Sequence, residues 1–124
     1  MDDKIYNIAI VDDTHEIINM LSKSLSRNKR YHISTYSNPL TAIDGIDSKI
    51  DIVFLDIVMP QMDGLEALEK IVKKNPNIKV IMMTASSTLD RVLKAHKFGA
   101  THYIMKPFSS MEEIEKKLED VINF

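Results

Sequence analysis

The sequence predicts an α/β fold: a doubly wound (βα)5 unit whose five parallel strands run in the order 2-1-3-4-5, with helices on both faces. Three observations predict it. Five short apolar runs alternate with longer segments of helical period, the pattern of strands joined by right-handed helical crossovers. The first, third and fourth runs are apolar nearly throughout, as in strands covered on both faces. The second run alternates, with Ile33 between polar neighbours, and reads as an edge.

Each element has its own signal. The first run is YNIAIV (6–11). A stripe of Ile17, Leu21 and Leu25, joined by Ile18, follows it at helical spacing, with Thr14 as N-cap. The second run is YHISTY (31–36). Asn38 then caps a helix with Pro39 at its first position, expected to reach about Lys49. The third run, DIVFLD (51–56), leads to a stripe of Leu65, Leu68, Ile71 and Val72 that stops at NPN (75–77). After KVIMMT (79–84) come Leu89, Val92 and Leu93, on a helix ending at Gly99. HYIM (102–105) precedes Ser110 and Glu113, spaced as a capping box, and then Ile114, Leu118, Val121 and Ile122. The acids and lysines of MEEIEKKLED form the wet face of this last helix. Repeats, linkers and low-complexity tracts are absent, so residues 1–124 are expected to form one domain.

Composition removes several function classes. The 124 residues contain no cysteine, which excludes a disulfide framework or a thiolate metal site. Sixteen basic and 18 acidic residues give a net charge of -2, without the basic footprint of nucleic-acid binding. The start, MDDKIYNIAI, is acidic where a signal peptide is basic, and no run nears the roughly 18 apolar residues of a membrane span. A cytoplasmic location is expected. The histidines His15, His32, His96 and His102 share no ligand spacing and are expected to face solvent, and the eight methionines read as adaptable core filler.

The polar residues that end the strands carry the chemistry. Asp12 and Asp13 end the first strand, Asp56 the third and Thr84 the fourth, while Lys106 follows the fifth. In a parallel sheet these ends share one edge, and ligands of such sheets bind where the strand order reverses, between strands one and three. Three carboxylates there repel one another and raise at least one pKa. Lys106 supplies one positive charge against three negative ones. An all-oxygen donor set favours a hard cation, Mg2+ first. Carboxylate, Mg2+, hydroxyl and ammonium together suit phosphoryl transfer to a carboxylate oxygen.

These residues, with LDIVMPQMDG (55–64), MMTA (82–85) and YIMKPF (103–108), resemble the receiver domains of two-component response regulators across essentially the whole chain. The resemblance implies a flavodoxin-like fold and a phosphorylation-dependent switch. Asp56 would be the phosphoacceptor, taking its phosphoryl group from a sensor histidine kinase or a histidine phosphotransfer protein. Asp13, Asp56 and the backbone carbonyl of Val58 would ligate Mg2+, with Asp12 acting through water. Thr84 and Lys106 would bind phosphoryl oxygens, and Ala85 would leave room for the group. Gly64 would lie in the turn after the third strand. Lys106–Pro107 would be a cis peptide. Tyr103 matches the switch aromatic, and output would come from the face of helix 4, strand 5 and helix 5 toward an unknown protein target. A monomer or a phosphorylation-dependent dimer is expected, with no membrane partner. The resemblance also implies either a stand-alone regulator of the chemotaxis type or a domain of a longer protein.

Two positions depart from many relatives: Val58 is apolar, and Ser86 is small and polar. Both flank the route of hydrolytic water, and Val58 is expected to lengthen the phosphorylated lifetime. Other readings fit less well. A phosphatase with an Asp nucleophile of the haloacid-dehalogenase type needs a second Asp where Val58 stands. An FMN carrier needs a hydroxyl-rich phosphate loop, but VDDTHE is acidic and no Gly-rich phosphate loop occurs. A pseudo-receiver that only docks partners is opposed by the full residue set.

Overall fold

Alternation along the strands decides which helices cover which face of the sheet. The computed structural model describes residues 4–85 and 89–123, Leu89 by its backbone only. In chain order the elements are β1 (Tyr6–Val11), α1 (His15–Leu25), β2 (Tyr31–Tyr36), α2 (Pro39–Gly45), β3 (Ile52–Asp56), α3 (Gly64–Lys74), β4 (Lys79–Thr84), α4 (Leu89–Lys97), β5 (His102–Met105) and α5 (Met111–Ile122). All pairings are parallel, in the order β2-β1-β3-β4-β5. Ile8, Ile10, Ile52, Phe54, Ile81, Met83 and Ile104 pack against Ile18, Leu21 and Leu25 of α1 and Ile114, Leu118 and Val121 of α5. The intervening Ala9, Val11, Val53, Leu55, Val80 and Met82 pack against α2, α3 and α4. Two-sided burial is why β1, β3 and β4 carry no polar residue on their inner stretches.

The helix boundaries correct some expectations. Asn38 does cap α2, its Oδ1 accepting from the Leu40 N–H at 2.8 Å, with Pro39 at the first position. But α2 ends at Gly45, not near Lys49. There the chain passes under Tyr36, so that a Cβ on Gly45 would stand 2.6 Å from the phenol oxygen. Ile46 turns extended and buries its side chain in the core. The freed carbonyls find donors from α3 and its C-cap. Lys74 Nζ donates to the carbonyls of Ile43 and Asp44 at 2.7 and 2.9 Å. The buried Asn75 donates to those of Asp47 and Ile50 at 2.9 and 3.0 Å. Tertiary donors thus replace the last helical turn.

Thr14 stands at the N-cap of α1, but its side chain makes no cap hydrogen bond. Asp12 Oδ1 accepts the Thr14 N–H instead, at 2.9 Å. Among the described side chains of α4, Ala95 is buried, whereas Leu93 is 58% exposed. Gly99 has φ 110° and closes α4 as a Schellman motif, with Gly99 N–H on His96 O and Ala100 N–H on Ala95 O. Ser110 caps α5 by accepting from the Glu113 N–H, while the Glu113 carboxylate accepts from the Ser109 hydroxyl. His15, His32 and His96 are exposed, but His102 is half-buried. Among the described residues no helix is long and apolar enough to cross a membrane.

Candidate functional site

Register brings the carboxylates together. Val11 is level with Leu55 in the β1–β3 pair, so the next residues, Asp12 and Asp56, leave the sheet side by side. Asp12, Asp13 and Asp56 each offer an oxygen within 4.8 Å of the others. Asp12 and Asp56 are buried and Asp13 half-buried. Thr84 closes β4 beside them, fully buried, and its carbonyl accepts the Lys106 N–H at 2.8 Å. That backbone bond aims Lys106 inward: its Nζ lies 2.5 Å from Asp12 Oδ2 and 3.4 Å from Asp56 Oδ2. The Lys106–Pro107 bond that follows is cis.

Asp56 bears the electrostatic cost. Burial, and then the charge on Asp12, push its carboxyl up from 3.8 to about 6, against the opposing pull of Lys106 and the Val58 N–H. That N–H donates to Asp56 Oδ1 at 3.2 Å. The loop after β3 is closed tightly around the carboxylate. Ile57 donates to Met83 O at 3.0 Å, and Gly64 N–H donates to Ile57 O at 2.7 Å. A Cβ on Gly64 would stand 2.3 Å from the Asp56 carbonyl oxygen, so only glycine fits that close approach. Ile57 and Met59 anchor the loop in the core, and Met62 packs against it. Val58 turns the other way, 59% exposed. Ala85 is exposed just past β4, and Ser86 lies outside the described residues.

Tyr103 sits apart from the acids. It packs with the core on the α3 and α4 side, and its hydroxyl donates to the Val92 carbonyl of α4. Sequence reasoning missed one participant, Arg91 of α4, whose guanidinium pairs with Asp63 at the start of α3. The Asp63 cap was readable from its place before Gly64 and Leu65. Its partner 28 residues away had no local signal.

The donor set fits a hard divalent cation. It is all oxygen and clustered, with Asp12 and Asp56 buried and Asp13 half-buried, and three acids stand against one lysine. A doubly wound sheet with acids, a hydroxyl and an ammonium at its switch point is an arrangement suited to a class of proteins that handle phosphoryl groups.

Comparison with known proteins gives the family. The model of the response regulator receiver domain matches residues 8–119. The chemotaxis protein CheY of Listeria monocytogenes is 40% identical over 113 residues, covering 88% of this chain and 95% of that protein. The transcriptional regulator NtrC of Escherichia coli is 36% identical over 108 residues, covering 86% of this chain and 23% of its own. A crystal structure of the CheX–CheY–BeF3–Mg2+ complex from Borrelia burgdorferi superposes with a TM-score of 0.86 at 29% identity, covering 94% of this chain and 89% of that one. The chain belongs to the response regulator receiver domain family of two-component signalling. Receiver domains are phosphoacceptor regulators, not enzymes acting on a separate substrate.

Proposed function

We propose that residues 1–124 form one receiver domain that works as a phosphorylation-dependent switch with Asp56 as its phosphoacceptor. The observation that carries this reading is the placement of Asp56: 4% exposed, at the end of β3, within the acid cluster and 3.4 Å from Lys106 Nζ. An oxygen of the Asp56 carboxylate attacks phosphorus of a phosphohistidine on a kinase or phosphotransfer protein. The P–O bond forms as the P–N bond breaks, and the imidazole leaves. Asp13, Asp56 and the Val58 carbonyl would hold Mg2+, with Asp12 acting through water, and the ion would supply positive charge to offset that on the transferring group. Lys106 moves from the carboxylates to a phosphoryl oxygen, and the Thr84 hydroxyl donates to another. Ala85 leaves that approach open.

Slow hydrolysis of the aspartyl phosphate resets the switch. Thr84 and Tyr103 carry the change to the surface of α4, β5 and α5. Exposed Leu93 and Met105, at 58% and 45%, support that face as the docking surface for a downstream protein. The BeF3- and Mg2+-bound relative from Borrelia supports both the ion and the chemistry.

The test is incubation with Mg2+ and acetyl phosphate, followed by intact-mass measurement. One acid-stable, base-labile phosphoryl group is expected on the wild type and none on Asp56→Ala. No gain, or a gain that survives the substitution, overturns the reading.

A further inference from the structure

We propose that the Arg91–Asp63 ion pair is a strut that couples α4 to the loop of residues 57–63, so that an ion held by that loop and the stability of the start of α4 influence each other. That an ion is held at the Val58 carbonyl, and which ion it is, rests on the functional reading above; the strut itself rests on the contacts. Arg91 Nη2 lies 2.9 Å from Asp63 Oδ1. The same oxygen accepts the Leu65 N–H at 2.9 Å as the N-cap of α3. One atom therefore joins the loop, α3 and α4.

Among the described residues the other side-chain ion pairs on these helices, Glu66–Lys70 and Asp90–Lys94, each stay within one helix and link no elements. Arg91 is also partly withdrawn from water. Its side chain is one-third exposed, and its Nε is buried with no hydrogen-bond partner among the described residues. Ile57, Val58, Met59, Asp63 and Arg91 line a common hollow of about 250 Å3.

The loop is stiff enough to transmit. Ile57 and Met59 are buried, and the Gly64 N–H closes the loop on the Ile57 carbonyl. A displacement at the Val58 carbonyl therefore reaches Asp63, and through Arg91 it reaches α4. This path bypasses Thr84 and Tyr103. Linkage makes the coupling reciprocal.

The test uses Asp63→Asn, Arg91→Gln and the double variant, with amide hydrogen exchange measured in metal-free buffer and with Mg2+. Asn keeps an oxygen to cap α3 but loses the charge. A half-exposed pair supports an effect of about two- to fivefold. Metal-free exchange in residues 90–97 and 57–63 is expected to rise by that factor in each single variant. The double variant should be no faster than the singles, because one interaction is lost in all three. Mg2+ should slow exchange in α4 of the wild type, and do so less in the variants. Unchanged metal-free α4 exchange in both single variants, additive effects, or, where calorimetry shows the ion bound, equal slowing by Mg2+ in wild type and Arg91→Gln overturns the strut. Calorimetry alongside separates the two readings. Absence of Mg2+ binding counts against the functional reading, and the metal-free comparison still decides the strut.

Discussion

Asp56 shows how one residue trades stability for chemistry. Its carboxyl is raised from 3.8 to about 6, so the folded state disfavours the ionised form relative to the unfolded chain. That penalty is full above about pH 6 and fades as pH falls toward 3.8, below which both states hold the proton. In metal-free buffer Asp56→Asn should therefore stabilise the fold at pH 7.5 by on the order of 2 kcal/mol, with the gain vanishing near pH 4. Denaturant melts at the two pH values check both sign and window; a variant less stable at pH 7.5 contradicts the raised carboxyl. Val58 is a purer kinetic probe, because its exposed side chain makes substitution nearly neutral for stability. Val58→Asn should shorten the phosphorylated lifetime, read from the decay of the phosphoprotein mass. An unchanged decay rate removes Val58 as the brake.

Among the elements, α2 and α3 depend on each other through polar contacts that no periodicity announces. Asn75, the C-cap of α3, satisfies the Asp47 and Ile50 carbonyls of the segment that replaces the end of α2. Asn75→Ala removes one donor from each of those carbonyls and should cost on the order of 1 kcal/mol, measured by denaturant unfolding. Hydrogen exchange should rise first in residues 46–51 rather than in the strands. The stripes on α1, α3 and α5 were legible because burial on one face imposes a 3.6-residue period. The stripe on α4 was misread at Leu93. Among the described side chains of α4 the small Ala95 is buried while the larger Leu93 lies at the surface, and sequence alone does not separate a core position from an exposed docking position.

At the scale of the whole molecule, three acids and one lysine converge from three chain segments, and their charge imbalance links metal, proton and fold. Mg2+ should raise the melting temperature at pH 7.5, with a stabilisation of about 2.7 kcal/mol at a hundred times its dissociation constant. Protons compete for Asp56, so the Mg2+ affinity should fall as pH drops below about 6. Calorimetric titrations at pH 7.5 and 5 read both effects, and an affinity independent of pH would show that Asp56 is not a ligand.

The sequence by itself determined the five strands, their order and the edge on which Asp12, Asp13, Asp56, Thr84 and Lys106 meet. Those features follow from period, from two-sided burial and from the rule that parallel strands end on one side, and each is written in neighbouring residues. Only the tertiary structure decided where α2 stops, that Lys106 spans Asp12 and Asp56, and that Arg91 reaches Asp63. These depend on distances between segments far apart in the chain, where no local pattern records which donor meets which acceptor.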